Sequence, residues 1–158
     1  MLKEIENPGP GIVVDDINAL ESRLGKKIPD DYAQFLIKYN GGSPIECMID
    51  FDGNKLNMSG NSIGYFFGLK RKSDLINKLE NMSHILPELA LPIADTPGGN
   101  YFILSLNNNT YGKVFYKDHE IEDSFDFKDD ENNLPESMVL VANSFSEFLD
   151  KLYDPDEE

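Results

Sequence analysis

The sequence predicts an α+β fold: a central, mostly antiparallel sheet of about five to six strands, flanked by N-terminal and C-terminal helices. Three observations predict it. Apolar residues recur at helical spacing near the N-terminus, at Tyr32, Phe35, Leu36 and Tyr39. Three short strand-like runs separated by turn residues fill positions 91–117. Ser144 and Glu147 then form the signature of a capping box ahead of a last apolar stripe.

In chain order, Asp15 can cap a first helix whose stripe is Ile17, Leu20 and Leu24, and Gly25 can end it. Pro29 suits the first turn of the second helix, and Asp30 and Asp31 favour its positive N-terminus. Asn40-Gly41-Gly42 stops that helix, because these residues accept the left-handed conformation. Ile45–Phe51 and Ile63–Leu69 read as strands around a polar connection. The glycines at 60, 64 and 68 mark crowded or bulged strand positions. Ser73 can cap a third helix with Asp74 in its first turn and Leu75, Ile76, Leu79 and Met82 on one face; Pro87 ends it. Strands follow at Leu91–Ala94, Tyr101–Leu106 and Lys113–Lys117, with turns at Pro97-Gly98-Gly99 and Asn107-Asn108-Asn109. Residues 122–137 read as a long acidic loop, Met138–Ala142 as a short strand, and Phe145, Phe148, Leu149 and Leu152 as the stripe of a final helix. The order is ααββαβββ(β)α in a single domain spanning 1–158, with a core over about 13–152 and an acidic tail at 153–158.

Composition narrows the function. The 158 residues are 40% hydrophobic, with 10 Phe and 7 Tyr, enough for one core. A lone cysteine, Cys47, excludes an intramolecular disulfide or a cysteine-based zinc site, and its apolar surroundings suit a small core residue. The start MLKEIENPGPG shows no signal-peptide run, and no stretch approaches the roughly 18 apolar residues of a membrane span, so the expected location is cytoplasmic. The net charge is −15, and residues 118–158 carry −13 of it, with 15 acidic residues against 2 lysines. That asymmetry argues against direct binding of nucleic acid and favours steering toward a basic partner.

No catalytic or metal-binding constellation stands out, and no cofactor is expected. Asp50-Phe51-Asp52-Gly53-Asn54 has its glycine at the wrong loop position for calcium, and Asn61 stands where a glutamate is needed; a turn is expected. Gly112-Lys113 lacks the flanking residues of a phosphate loop, and no G-x-S-x-G occurs. The carboxylate pairs Asp15-Asp16 and Asp129-Asp130 cannot be placed across a cleft from sequence. His84 lies near a helix end; if the strand continues, His119 faces away from Asp118 and Glu120, which share one face. Lys70-Arg71-Lys72 reads as a solvated loop or, as a minority reading, a contact with the acidic third of the chain.

Two blocks stand together: Ile28-Pro29-Asp30-Asp31-Tyr32 through Phe35-Leu36 to Tyr39-Asn40-Gly41-Gly42, and Leu91 through Asp95, Gly99-Asn100 and Gly112-Lys113-Val114-Phe115-Tyr116 to Asp118-His119-Glu120. This pattern resembles the SMI1/KNR4 family, also called the SUKH superfamily, over roughly residues 13–152. It departs in one respect: an aromatic that is often tryptophan in the family falls here within Phe115-Tyr116-Lys117, and the chain has no Trp. The resemblance implies an antiparallel sheet flanked by helices and a binding role without catalytic residues. Bacterial members look like immunity proteins that neutralise polymorphic or contact-dependent toxins, often nucleases; the fungal namesake is a regulatory scaffold. A compact acidic chain without long disordered arms fits the first role, with a cognate toxin domain of basic surface as partner. The expected surface is the acidic stretch Asp118, Glu120, Glu122, Asp123, Asp126, Asp129 and Asp130, with Phe125 and Phe127 as aromatic anchors. Carboxylates two apart on a strand lie about 6.6 Å apart, a spacing that could partly imitate a phosphate backbone.

Overall fold

A computed structural model describes residues 1–51, 61–71, 74–83, 86, 89–120, 134 and 136–157. The elements run β1 (Ile5–Glu6), α1 (Val14–Leu24), α2 (Asp30–Tyr39), β2 (Ser43–Pro44), β3 (Met48–Ile49), β4 (Asn61–Ser62), α3 (Leu75–Met82), β5 (Ala90–Asp95), β6 (Tyr101–Ser105), β7 (Val114–Lys117), β8 (Met138–Ala142) and α4 (Phe145–Asp150). The expected α+β class holds, but the sheet is grouped differently. Among the described residues, β5-β6-β7-β8 form one four-stranded antiparallel sheet, and β1-β2 and β3-β4 are separate two-stranded pairs.

Alternation along the strands sends side chains to two faces. Leu91 and Ile93, Phe102 and Leu104, Val114 and Tyr116, and Val139 and Val141 join the main core with Tyr32, Phe35, Leu36, Phe145 and Phe148 of α2 and α4. Ala90, Ile103, Phe115 and Met138 form a second buried cluster, against which Leu86, Tyr101, Leu134 and Leu140 pack. Both faces are therefore covered, which is why the strands read as almost unbroken apolar runs. Edge-to-face ring contacts tie the helices to the core: Phe145 meets Tyr32 at 4.9 Å and Phe35 at 5.1 Å, and Phe35 meets Phe66 at 4.8 Å.

The helix ends follow local chemistry, with two corrections. Asp15 is not the cap of α1; Val13 holds that position, and the Asp16 carboxylate accepts from the Val13 amide at 2.9 Å. Gly25 ends the helix with φ +70°. For α3 the cap is Asp74, whose carboxylate accepts from the amides of Ile76 and Asn77; Ser73 lies outside the described residues, as do Pro87 and Gly60. Ser144 caps α4 as expected, accepting from the Glu147 amide at 3.0 Å.

The two long strands expected at 45–51 and 63–69 are instead extended segments whose backbone is divided among several partners. Ile45 donates to Glu4, Met48 exchanges two bonds with Tyr153, and the Cys47 carbonyl accepts from Ile63. Phe66 pairs with Gly42 while Phe67 donates to Ile93, so residues 63–67 run beside β5 without becoming a regular strand. The crowding read at Gly64 and Gly68 is real: an added Cβ would sit 2.4 Å from Asp95 Oδ1 at the first and 2.1 Å from the Asn40 carbonyl oxygen at the second.

Asn40 organises this junction. It ends α2 in the left-handed conformation, φ +51°, and is almost wholly buried. Its amide donates to the carbonyls of Pro10 (2.9 Å) and Leu69 (2.7 Å) and accepts from the Leu69 amide (2.7 Å). Arg71 adds Nη1 to the Asn40 carbonyl at 3.1 Å and Nη2 to the Asn7 carbonyl at 3.2 Å. Three chain segments are thus stitched through one side chain. A second buried polar group, Glu46, accepts from the amides of Lys3 (2.6 Å) and Glu4 (3.0 Å), anchoring the N-terminal segment. Burial pushes its carboxyl upward, but those amides, its own amide and the Lys3 charge outweigh this and hold it below the ordinary carboxylate range.

Candidate partner-binding surface

The expected acidic surface begins where β7 ends. The strand stops at Lys117, and pairing continues for one more bond, from the Asp118 amide to the Ser137 carbonyl at 2.8 Å. The chain then turns: the Asp118 carboxylate accepts from the Glu120 amide at 2.9 Å. Asp118 and Glu120 therefore do not share a strand face as a spaced row. Asp118 folds back onto its own backbone, as short acidic side chains do in turns. Asp118 is half-buried, and His119 and Glu120 are exposed. Glu122, Asp123, Phe125, Asp126, Phe127, Asp129 and Asp130 lie outside the described residues, as does His84.

The turn joining β5 to β6 meets this segment and fixes it. The Asn100 amide donates to Thr96 Oγ1 at 3.1 Å, and Gly99 occupies φ +88°. Asn100 Oδ1 accepts from the His119 amide at 2.9 Å and lies 2.6 Å from His119 Nδ1, while its Nδ2 donates to the Tyr116 hydroxyl. The imidazole lies against Gly99, where a Cβ would stand 3.3 Å from the ring. Gly99 thus serves both the turn and the ring contact. Burial pushes the Tyr116 hydroxyl above the usual tyrosine range and the Asp118 charge adds to this, while the Asn100 bond opposes it. Sequence reasoning quoted Gly99-Asn100 but gave neither residue this role; the partners sit 19 positions away in the chain.

Beneath the surface, Lys117 is buried with its amine 2.5 Å from Ser137 Oγ. The Tyr116 ring packs on Phe51 (5.5 Å) and Phe102 (5.6 Å). The side chain of Asp50, from the rejected calcium loop, accepts from the Tyr153 hydroxyl at 2.9 Å, and residues 52–54 lie outside the description. Lys70 is largely exposed, as a solvated loop would have it, Arg71 is half-buried, and neither touches the acidic third among the described residues. Lys70 pairs with Asp16 at 2.8 Å, and Arg71 caps the end of α2; Lys72 is not described. The bond from Lys70, then the Val13 amide, hold the Asp16 carboxyl below its ordinary value. Cys47 is half-buried rather than a core residue.

Elsewhere, a cleft of about 300 Å³ between α2, α4 and the N-terminus is lined by Asp31, Gln34, Phe35, Lys38, Leu149 and Asp150. Its Asp31 carboxylate is already engaged by the amide and hydroxyl of Ser146, each at 2.9 Å. Among the described residues, no three His, Cys, Asp or Glu side chains are grouped to hold a metal ion, and no helix is long and apolar enough to cross a membrane.

The model of the SMI1 / KNR4 family (SUKH-1) matches residues 11–151. The chain is also similar to the SPbeta prophage-derived uncharacterized protein YokK of Bacillus subtilis (strain 168), at 29% identity over 89% of this chain and 74% of that one.

Proposed function

Since this chain belongs to the SMI1/KNR4 (SUKH-1) family, we propose that it is an immunity protein acting in the cytoplasm as one domain. It binds a cognate polymorphic or contact-dependent toxin domain, a nuclease by class, and neutralises it stoichiometrically. The observation that carries this reading is the concentration of −13 of the −15 net charge in residues 118–158 of a family member. A nuclease needs a basic surface to hold phosphate, and an anionic protein can occupy it. Complementary charge also raises the rate of encounter, which matters when the target is toxic. The similarity to a prophage-derived bacterial protein supports the bacterial branch of the family over the fungal one.

The clip between Asn100 and His119 holds the start of the acidic stretch in one geometry, so part of the binding surface is ordered before the partner arrives. The test is co-expression with the toxin domain encoded beside it. Rescue of growth and a co-purifying complex support the reading. Toxin affinity unchanged after neutralising Asp118, Glu120, Glu122 and Asp123 together counts against the acidic surface.

A further inference from the structure

The hydrogen bonds around Asn100 favour one tautomer of the neutral His119 ring. The His119 backbone amide can only donate, so the oxygen of the Asn100 side chain must face it, at 2.9 Å. The other end of that amide, Nδ2, then donates to the Tyr116 hydroxyl. The same oxygen lies 2.6 Å from His119 Nδ1, and two acceptors do not approach so closely. Nδ1 therefore carries the proton, and in the neutral ring Nε2 is a bare acceptor. Nε2 takes no hydrogen bond from any described residue, and His119 is an exposed side chain between Asp118 and Glu120.

We propose that His119 Nε2 is a preorganised acceptor for an N–H donor on a basic partner, and that protonation of His119 switches this contact off. The proposal rests on the reading of the acidic surface as the partner-facing one. It adds to that reading a specific atom and a pH response. A protonated imidazole keeps the bond to Asn100 but turns Nε2 into a donor, so an arginine or lysine of the partner meets a like charge.

Other titratable and charged groups stand on the elements around the ring. Asp118 and Glu120 are its neighbours in the chain. The β5-β6 hairpin carries Asp95 and Tyr101, β7 carries Tyr116 and Lys117, and Glu136 precedes β8. Asp95 is the competitor to exclude, because burial raises its carboxyl despite the Tyr65 amide and the Lys78 charge.

The test has two arms. Long-range proton–nitrogen NMR correlation on the free protein reads the tautomer directly. The Nδ1–H form is expected for His119, reverting toward Nε2–H in Asn100→Ala; Nε2–H in the wild type overturns the inference. The second arm measures binding of a deca-arginine peptide at about pH 8 and about pH 5.5. Loss of one charge-assisted bond predicts affinity weaker by roughly tenfold at the lower pH. His119→Gln keeps an amide oxygen but has no ring to protonate, so whatever its affinity at the higher pH, that affinity should change less than about twofold between the two. His84→Gln and Asp95→Asn should keep the wild-type response. A response that survives in His119→Gln, or vanishes in Asp95→Asn, overturns the His119 assignment alone. No peptide binding at either pH overturns the acidic-surface reading, and the partner contact with it.

Discussion

Replacing Asn40 by aspartate changes one NH2 group to an oxygen and almost nothing in shape. In the fold that group points at two carbonyl oxygens, those of Pro10 at 2.9 Å and Leu69 at 2.7 Å. Asn40→Asp removes both donated bonds, takes that donor from the buried Leu69 carbonyl and the part-buried Pro10 carbonyl, and sets a negative charge against them. Each lost bond costs about 1–3 kcal/mol. The Leu69 amide keeps its acceptor, and the Arg71 guanidinium, bound to the Asn40 backbone carbonyl, offsets part of the charge. The expected net loss is about 4 kcal/mol near neutral pH, a large part of the stability of a domain this size. Burial and the facing carbonyls raise the folded-state pKa of the introduced carboxyl above its unfolded value near 3.9. Its protonated form is thus favoured in the fold, and the penalty grows as pH rises above that value and shrinks below it. Urea denaturation of both proteins at about pH 7 and about pH 4 measures this. A loss under about 1 kcal/mol at the higher pH, or a difference independent of pH, would refute the reasoning.

Gly68→Ala should cost about 1–3 kcal/mol by urea denaturation, since its Cβ would stand 2.1 Å from the Asn40 carbonyl oxygen. Gly98→Ala, whose nearest neighbour is Thr96 Oγ1 at 3.9 Å, should stay within about 0.5 kcal/mol of wild type. Glu46→Gln tests the lowered carboxyl: the charged form stabilises the fold above the unfolded value near 4.3, and that contribution is lost as pH falls through the folded value. The stability gap between wild type and Glu46→Gln should therefore narrow from about pH 6 to about pH 3, and a constant gap contradicts it. Among the described residues the fully buried Tyr32 hydroxyl has no hydrogen-bond partner, and burial drives its pKa upward. Tyr32→Phe should then melt at or above the wild-type temperature, and a destabilisation beyond about 1 kcal/mol would reveal a partner for that hydroxyl.

The helices α2 and α4 and the strands β5 to β8 were legible because each follows from spacing within a few residues. Tyr32, Phe35 and Leu36 share a helix face whatever lies opposite, and the 3.0 Å bond from the Glu147 amide to Ser144 is local. The junctions were not legible. Asn40 reads as a helix stop in sequence, yet its side-chain partners lie 29 and 30 residues away. Glu46 serves amides 42 and 43 residues earlier, and β1 and β2 are too short to leave a pattern. The 45–51 segment was overread as one strand because it is apolar, whereas its backbone serves Glu4, Ile63 and Tyr153 in turn. The acidic surface was readable as charge but not as shape, since the turn at Asp118 depends on its meeting with Asn100 and Ser137.

The central sheet has a further implication for recognition. With Phe102 and Val114 sealed on one side and Ile103 and Phe115 on the other, it presents no open platform among the described residues. Under the proposed function, contact falls along the perimeter, in turns such as the one at Asp118. On that reading the perimeter is where a change of target would be written, with both buried clusters of the sheet left as they are.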